Sequence, residues 1–277
     1  MRMSREPARL VSSMNSGVRH HALALRCAAL ALAAAGAVSP AQAARDDLQR
    51  IVQRQCLPDW LQRHDPAPCL AVQLPASAAG GTDAGYAVLA DRKGGAHFLL
   101  IPLRTLSGIE SPALLDSRVP NYFAAAWDAR ARIVPGALRA VPPDAVGLAI
   151  NSHYSRGQDQ LHIHIECQGA ALHAALRAAA SRLTSSWTAL DVDGDTYQVR
   201  RVMGRTLEGA DPIKLLAQGL PAARAHLAFY TLIVAGVRFG DRPGFALLAR
   251  RAVLRGGERL LDNSCVNAAP ALSAPPP

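Results

Sequence analysis

The segment Arg156–Gly169, RGQDQLHIHIECQG, alternates apolar and polar residues and therefore predicts a β-strand. Consecutive side chains of a strand point to opposite faces of a sheet. One face carries His162, His164 and Glu166, so two imidazoles and a carboxylate stand in a row. The other face carries the residues expected in the core, which are Leu161, Ile163, Ile165 and Cys167. Two interpretations of the polar row stay open, a functional site and a polar outer face.

Short strands and helices are predicted on both sides of this segment. Further strands are expected at 69–74, 86–91, 96–102 and 145–150, and as two hairpins that turn at Asp193-Gly194 and Gly240-Asp241. Helices are expected from Asp46 to near Pro58, after Ser111-Pro112, and at 122–132, 171–183 and 212–220. This order predicts an α+β fold, an antiparallel sheet with helices on one side.

Composition sets only broad limits on function. Half of the 277 residues are apolar, so the chain can bury a sizeable core. The formal net charge is +9, and the first 43 residues hold five arginines and one glutamate, which leaves +5 for the remainder. That surplus suits a phosphate-bearing partner or an acidic membrane surface. Binding to nucleic acid is not predicted, because no basic run with interleaved aromatics is present.

The amino terminus has the features of an export signal. An apolar run follows a basic segment and ends in Ala41-Gln42-Ala43, the small-x-small pattern of a signal peptidase site. Arg26 interrupts the run, and its uncharged part is shorter than the roughly 20 residues of a spanning helix. We therefore predict an export signal at 1–43, with a retained anchor as the alternative, one domain at 44–266, and a disordered Pro/Ala tail at 267–277.

Four cysteines remain after the predicted signal, an even number in a chain expected in an oxidising compartment. Spacing favours a local Cys56–Cys69 bond, which leaves Cys167 to pair with Cys265. Four cysteines allow three pairings, and small buried thiols are the other interpretation.

A metal site at the histidine row is tested by spacing. A cupin-type site has Gly, His-x-His and then Glu, but here Gly157 precedes His162 by only four intervening residues. Glu166 follows His164 after a single residue, and no later histidine completes such a set. We therefore predict no metal ligands and no cofactor.

Covalent catalysis suits the row better. A neutral imidazole attacks phosphorus, and the labile phosphohistidine that forms can be hydrolysed in a second step. The chemistry needs a fixed histidine and hydrogen-bond donors for the phosphate oxygens. The adjacent loop offers such donors, at Asn151, Arg156, Gln158 and Gln160.

Two blocks of the sequence resemble the histidine-triad superfamily of nucleotide hydrolases and transferases. In the first, Asn151, Gly157-Gln158, His162 and His164 stand in the register of that superfamily's motif. The second block, HFLLIPLRTLSGI at 97–109, resembles its earlier strand and turn. The resemblance implies a histidine-triad-like antiparallel sheet with flanking helices, which a carboxyl-terminal α+β half would extend.

Within the superfamily, the chain resembles the CDP-diacylglycerol pyrophosphatase family. The similar features are QDQLHIHIEC at 158–167, the Cys56 and Cys69 segment, LLDNSC at 260–265 and the export signal. The resemblance implies hydrolysis of CDP-diacylglycerol to CMP and phosphatidate at a membrane surface, by a periplasmic enzyme associated with the inner membrane. A soluble nucleotide pyrophosphatase with another substrate, and a non-enzymatic metal- or nucleotide-binding module, are the alternatives.

The resemblance also implies roles for individual residues. His164 would be the nucleophile that carries the CMP group, and His162 its orienting partner. Asn151 and Gln158 would donate hydrogen bonds to phosphate. The sequence departs from the superfamily at Glu166, where histidine or glutamine is usual, and a carboxylate there would repel phosphate unless it is protonated or turned away. His97 is expected to be structural or to lie at the rim.

Overall fold

An antiparallel sheet is the framework of the computed structural model, which describes residues 44–75 and 81–266. In chain order the strands of this part are β1 (Ala71–Gln73), β2 (Tyr86–Ala90), β3 (Phe98–Pro102), β4 (Val146–Ile150), β5 (Ile163–Gln168), β6 (Thr188–Val192), β7 (Asp195–Met203), β8 (Tyr230–Phe239), β9 (Arg242–Arg251) and β10 (Leu261–Asp262). Their order across the sheet is β1-β2-β3-β5-β4-β8-β9-β7-β6. The α+β class and the antiparallel sheet are confirmed.

Strand β5, which contains His164 and Glu166, is an interior strand with partners along both edges. One edge pairs with β4. The other edge pairs with β3 over Ile163–Ile165, and then with β10 at Cys167 and Gln168. The carboxyl-terminal β10 therefore returns to the strand that holds the histidines.

Helices flank the sheet in the described residues. They are α1 (Asp47–Ile51), α2 (Leu57–Arg63), α3 (Tyr122–Arg132), α4 (Ala137–Ala140), α5 (Ala170–Ala179), α6 (Pro212–Gly219) and α7 (Pro221–Ala225). A π-helical turn, Val52–Cys56, joins α1 to α2. Short 3-10 helices lie at Pro112–Leu115, Pro143–Ala145, Leu227–Phe229 and Gly257–Leu260.

The first helical segment passes the proline that was predicted to end it. Pro58 follows the π turn as the second residue of α2, at the point where the Leu57 N–H bonds to the carbonyl oxygen of Val52 five residues back, so the helical path is already wider than a regular α-helix there. The segment ends instead at His64, which adopts the left-handed conformation.

Helices pack on both faces of the sheet, so the prediction of helices on one side is wrong. On one face, α3 and α6 pack over Ile163 and Ile165 and over apolar residues of the neighbouring strands. On the opposite face, α1 and the π turn cover the β1–β3 end, and α5 covers the β6–β9 end. The physical reason is that β3, β4 and β5 are buried at every position, which requires cover on both faces.

Both predicted disulfides are confirmed. Cys56 bonds to Cys69, which joins the π turn to the segment before β1. Cys167 of β5 bonds to Cys265, across 98 residues of sequence. This second bond ties the segment that follows β10 to the histidine strand.

Two sequence predictions fall outside the described residues, the export signal at 1–43 and the Pro/Ala tail at 267–277. Within the described ranges, none of the helices has the length and apolar character needed to span a membrane.

Candidate active site

The histidine row is buried, so its interpretation as a polar outer face is wrong. His162, His164 and Glu166 expose 7%, 3% and 5% of their surface. His164 is paired with Leu99 of β3 and Ala149 of β4. Leu99 belongs to the apolar cluster under α1, and Ala149 belongs to the cluster under α5. The row therefore lies between two apolar clusters on one face of the sheet.

One ring nitrogen of His164 is held by a second histidine. His97 immediately precedes β3, and its Nε2 lies 2.8 Å from His164 Nδ1. The two rings stack with centroids 5.1 Å apart. Glu166 Oε1 lies 3.2 Å from the same His97 nitrogen. His97 is buried, so its predicted position at the rim is wrong, and the pairing of β3 with β5 places it beside His164 and Glu166. The alternative expectation, a structural role, stays a prediction.

The other ring nitrogen of His164 faces a carboxylate that sequence patterns missed. Glu258 Oε2 lies 3.0 Å from His164 Nε2, and Asn151 Nδ2 lies 3.5 Å from it. Asn151 follows β4 directly and accepts a hydrogen bond of 3.4 Å from the backbone N–H of Glu258. A Cβ on Gly256 would come within 2.2 Å of Asn151 Oδ1, so this close approach requires glycine. Asn151 therefore lies beside His164, and its role as a phosphate donor stays a prediction.

His162 is anchored to the backbone and makes no hydrogen bond to His164 among the described contacts. Its Nδ1 lies 2.7 Å from the carbonyl oxygen of Gln160, which can only accept, so Nδ1 carries the proton. The two rings meet edge to face, with centroids 5.1 Å apart. Orientation of His164 through a hydrogen bond comes from His97, and His162 contributes packing and a free Nε2.

The amide of Gln158 is occupied by the first helical segment. Its Oε1 accepts from the backbone N–H of Leu48 at 3.0 Å, and its Nε2 donates to the carbonyl oxygen of Ala44 at 2.9 Å. Gln158 nevertheless lines a cavity together with His162 and His164. Its role as a phosphate donor stays a prediction.

The other expected loop donors are engaged elsewhere. Arg156 is buried and forms ion pairs with Glu110 at 2.7 Å and Asp159 at 3.0 Å. Gln160 Nε2 donates to the carbonyl oxygens of Pro102 and Arg104. These side chains build the loop, and neither has a free donor directed at His164.

Two cavities open onto the histidines. One, of about 240 Å³, is lined by both histidines, Leu48 of α1 and Leu99. The other, of about 510 Å³, is lined by His97, Glu166 and Glu258, and by exposed residues at its outer edge. Lys93, in the turn between β2 and β3, lines both cavities, and its Nζ lies 3.6 Å from Glu258 Oε1. Lys93 is 62% exposed at the side chain, so it can reach an anion in either cavity.

Burial sets the protonation of the site. Desolvation, followed by the charge of His164, lowers the pKa values of His97 and His162 to about 4, so both rings are neutral at pH 7. Desolvation and the nearby Glu258 raise the pKa of Glu166 to about 8, so this carboxyl holds a proton at pH 7. The hydrogen bond with His164 lowers the pKa of Glu258 to about 2, which makes it the charged carboxylate of the site.

Comparison with known proteins identifies the family of the chain. Residues 43–269 match the family described as CDP-diacylglycerol pyrophosphatase. The chain belongs to this family. A Yersinia pestis protein named CDP-diacylglycerol pyrophosphatase is 39% identical over 227 residues, which cover 79% of this chain and 84% of the relative. The expected family, enzyme class and reaction are therefore confirmed.

Membership in the CDP-diacylglycerol pyrophosphatase family leaves the question of which groups could hold a metal. Within the described ranges, His97, His164 and Glu166 place ligand atoms within 4.8 Å of one another. The two histidine nitrogens are 2.8 Å apart, however, closer than the roughly 3.4 Å between two nitrogens of a tetrahedral zinc site. The spacing is that of a hydrogen bond, so these groups fit a proton-transfer chain better than a shared ligand set.

Sequence patterns missed three residues of the site in this pyrophosphatase, and the three differ in how strong a sequence signal they carry. His97 starts the HFLLIP block that carried the family resemblance, so it could have been selected from that block. Glu258 lies in RGGERLLD, where only the paired glycines indicate a close backbone approach. Lys93 was visible only as part of a turn, RKGG.

Proposed function

We propose that this chain hydrolyses CDP-diacylglycerol to CMP and phosphatidate through a covalent intermediate in which His164 Nε2 carries the CMP group. The observation that carries this mechanism is the contact between His97 Nε2 and His164 Nδ1 at 2.8 Å. It fixes one ring nitrogen in a buried position and directs the other toward the cavity side. That is the geometry required of a nucleophilic imidazole.

The first step in this mechanism frees the nucleophile. At rest, His164 Nδ1–H donates to His97 Nε2, and one further proton lies between His164 Nε2 and the Glu258 carboxylate. The anionic pyrophosphate raises the cost of charge on Glu258, so that proton moves fully to the Glu258 carboxyl group. His164 Nε2 then holds a free lone pair, while Nδ1–H stays hydrogen-bonded to His97.

Attack then occurs on the cytidine-side phosphorus. The lone pair of Nε2 forms the P–N bond while the bond from phosphorus to the bridging oxygen breaks. Phosphatidate leaves with that electron pair and takes the proton from the Glu258 carboxyl group. Lys93 lies at the junction of the two cavities and neutralises phosphate charge.

The raised pKa of Glu166 explains a carboxyl group at the third triad position. Glu166 is protonated when the anionic substrate arrives, so it does not repel phosphate. Its Oε1 lies 3.2 Å from His97 Nε2, so the carboxyl group also helps to fix the ring that orients His164.

Hydrolysis of the intermediate completes the cycle. A water molecule attacks phosphorus, and Glu258 takes the proton of that water. The P–N bond breaks, its electron pair returns to Nε2, and CMP leaves. Glu258 then shares its proton with Nε2, which restores the resting state.

Three further parts of the proposal concern fold and place. We propose a histidine-triad-like arrangement, supported by a His-x-His strand that pairs with the HFLLIP strand in one antiparallel sheet.

We also propose that the enzyme works in the periplasm, associated with the inner membrane. The export pattern at 1–43 and the two disulfides support that place. The substrate would be taken from the membrane surface.

The test is release of CMP by His164→Ala. Loss of the nucleophile should reduce kcat by roughly 10⁴-fold or more. Wild-type protein quenched in acid-free denaturant during turnover should show the mass of a CMP adduct, and the variant should not. His173→Ala, on α5 and outside the site, is the matched control. Unchanged activity in His164→Ala would overturn the proposal.

A further inference from the structure

An exposed apolar loop lies beside the larger cavity. In the segment Ala252–Gly256, here named the docking loop, Val253 and Leu254 expose 51% and 91% of their surface. We propose that this loop inserts into a bilayer containing anionic phospholipid and seats the mouth of the catalytic cavity on the membrane. The proposal rests on the proposed function, because it says where the lipid substrate enters.

Aromatic residues extend the apolar surface. A hydrogen bond of 2.7 Å from Ala252 N–H to the carbonyl oxygen of Phe229 joins the docking loop to the 3-10 helix Leu227–Phe229. The ring of Tyr154, which is 48% exposed, lies over Phe229 with centroids 4.6 Å apart. Tyrosine has an apolar ring and a polar hydroxyl, a combination suited to the boundary between lipid headgroups and acyl chains.

The charges around the docking loop favour binding to an anionic bilayer over binding to a protein partner. Arg251 and Arg255 are exposed at its two ends. Arg251 lies over the Phe229 ring at 4.9 Å, and in the described part of the chain neither arginine forms an ion pair with a carboxylate. Two cations beside an apolar tip match the negative potential of an anionic bilayer. A buried protein partner would instead have to neutralise both arginines.

The loop also lines the larger of the two cavities beside the proposed nucleophile. Leu254 and Arg255 line this 510 Å³ cavity together with His97, Glu166 and Glu258, whereas His164 lines the smaller one. Glu258, three residues after Arg255, contacts His164. A phospholipid whose acyl chains stay in the bilayer beside Leu254 can therefore place its pyrophosphate in the larger cavity, next to the carboxylate that contacts His164. No other exposed apolar side chain of comparable exposure lies on either cavity in the described residues.

A fluorescent label tests insertion directly. Leu254→Cys is made in the full chain with Cys27→Ser, because the other four cysteines form disulfides. The label, an environment-sensitive nitrobenzoxadiazole group, should brighten roughly threefold with vesicles of phosphatidylglycerol and phosphatidylcholine, and less with phosphatidylcholine alone. Leu61→Cys on α2, a 54% exposed leucine, is the matched control and should not respond.

Three results of this experiment would overturn docking. The first is a label at position 254 that ignores vesicles, and the second is an equal response at position 61. The third is brightening of the protein alone that grows with its concentration, which would assign the surface to a second copy of the chain.

Kinetics separate docking from catalysis. Val253→Asp, in the docking loop but outside the lining of both cavities, should lower kcat/KM about tenfold on CDP-diacylglycerol in vesicles, since a charge opposes insertion. On a short-chain, water-soluble CDP-diacylglycerol it should change kcat/KM by less than about twofold. Leu61→Asp should affect neither assay. Equal losses in both assays would indicate damage to the fold and overturn docking. If wild type cleaves neither substrate, the proposed function fails, while the label still reports on docking.

Discussion

Strand β5 and the carboxyl-terminal arm, residues Ala252–Cys265, bring groups to the same imidazole in different ways. The strand holds His164 through backbone partners on both edges, and its side chains are buried. The arm contains an exposed loop, a single 3-10 turn and the two-residue strand β10, and its Glu258 side chain is 31% exposed. The proposed nucleophile is therefore held by strand pairing on both sides. The proposed acid–base group lies on a single helical turn, which is held by the backbone hydrogen bond of Glu258 to Asn151, by β10 and by the disulfide at Cys265.

Removal of the Glu258 charge on the arm should have the largest effect on activity. Glu258→Gln keeps the size of the side chain but cannot exchange a proton, so kcat should fall roughly 10²- to 10³-fold. Formation and hydrolysis of the CMP adduct should both slow, because the mechanism uses Glu258 in each step. Rapid-quench measurement of free CMP and adduct tests this. Glu208→Gln, an exposed carboxylate in another loop, is the control, and equal activity of both variants would exclude Glu258 from the chemistry.

Release of the arm from the strand should have the next largest effect. Serine at both Cys167 and Cys265 opens a 98-residue loop, and serine at both Cys56 and Cys69 opens a 13-residue loop. In the chain-entropy account, the first change lowers the free energy of unfolding by about 4 to 5 kcal/mol and the second by about 3 kcal/mol. Urea denaturation of the two variants checks the order. Only the first should also lower kcat under native conditions, and equal kcat losses would refute the arm's separate role.

The smallest effect concerns Glu166 on the strand side. Its pKa is raised from 4.5 to about 8, so activity should decline as the pH rises through 8, because the ionised carboxylate repels the phosphate. Stability should follow the same direction, because the contribution of the protonated form is complete below pH 4.5 and is lost as the pH rises through 8. Glu166→Gln should change kcat by less than about tenfold at pH 7, because the amide is neutral like the protonated carboxyl group, and should flatten the profile between pH 7 and 9. A retained decline in the variant would assign it to another group.

Local patterns predicted the strand side of the site well. Alternation placed Ile163 and Ile165 on one face and the histidines on the other, as observed. The hairpins turned where glycine follows or precedes aspartate, and spacing identified both disulfides. These features depend on neighbours in sequence or on a few covalent possibilities.

The arm side could not be predicted in the same way. Glu258 meets His164 only because β10 pairs with β5 next to the end of β3, a contact set by the whole sheet. The burial of the histidine row could not be predicted for the same reason. The helices that cover it, α1 and α5, are distant in sequence, and no local sequence pattern specifies where they pack. Gln158 was selected correctly as a residue of the cavity, but the helix that engages its amide was not foreseen.

The two hydrogen bonds of Gln158 have a consequence for the shape of the site. They hold Ala44 and Leu48 against the loop that precedes the histidine strand, and Leu48 lines the smaller cavity together with His162 and His164. A single side chain therefore fixes the first helical segment as one wall of the site.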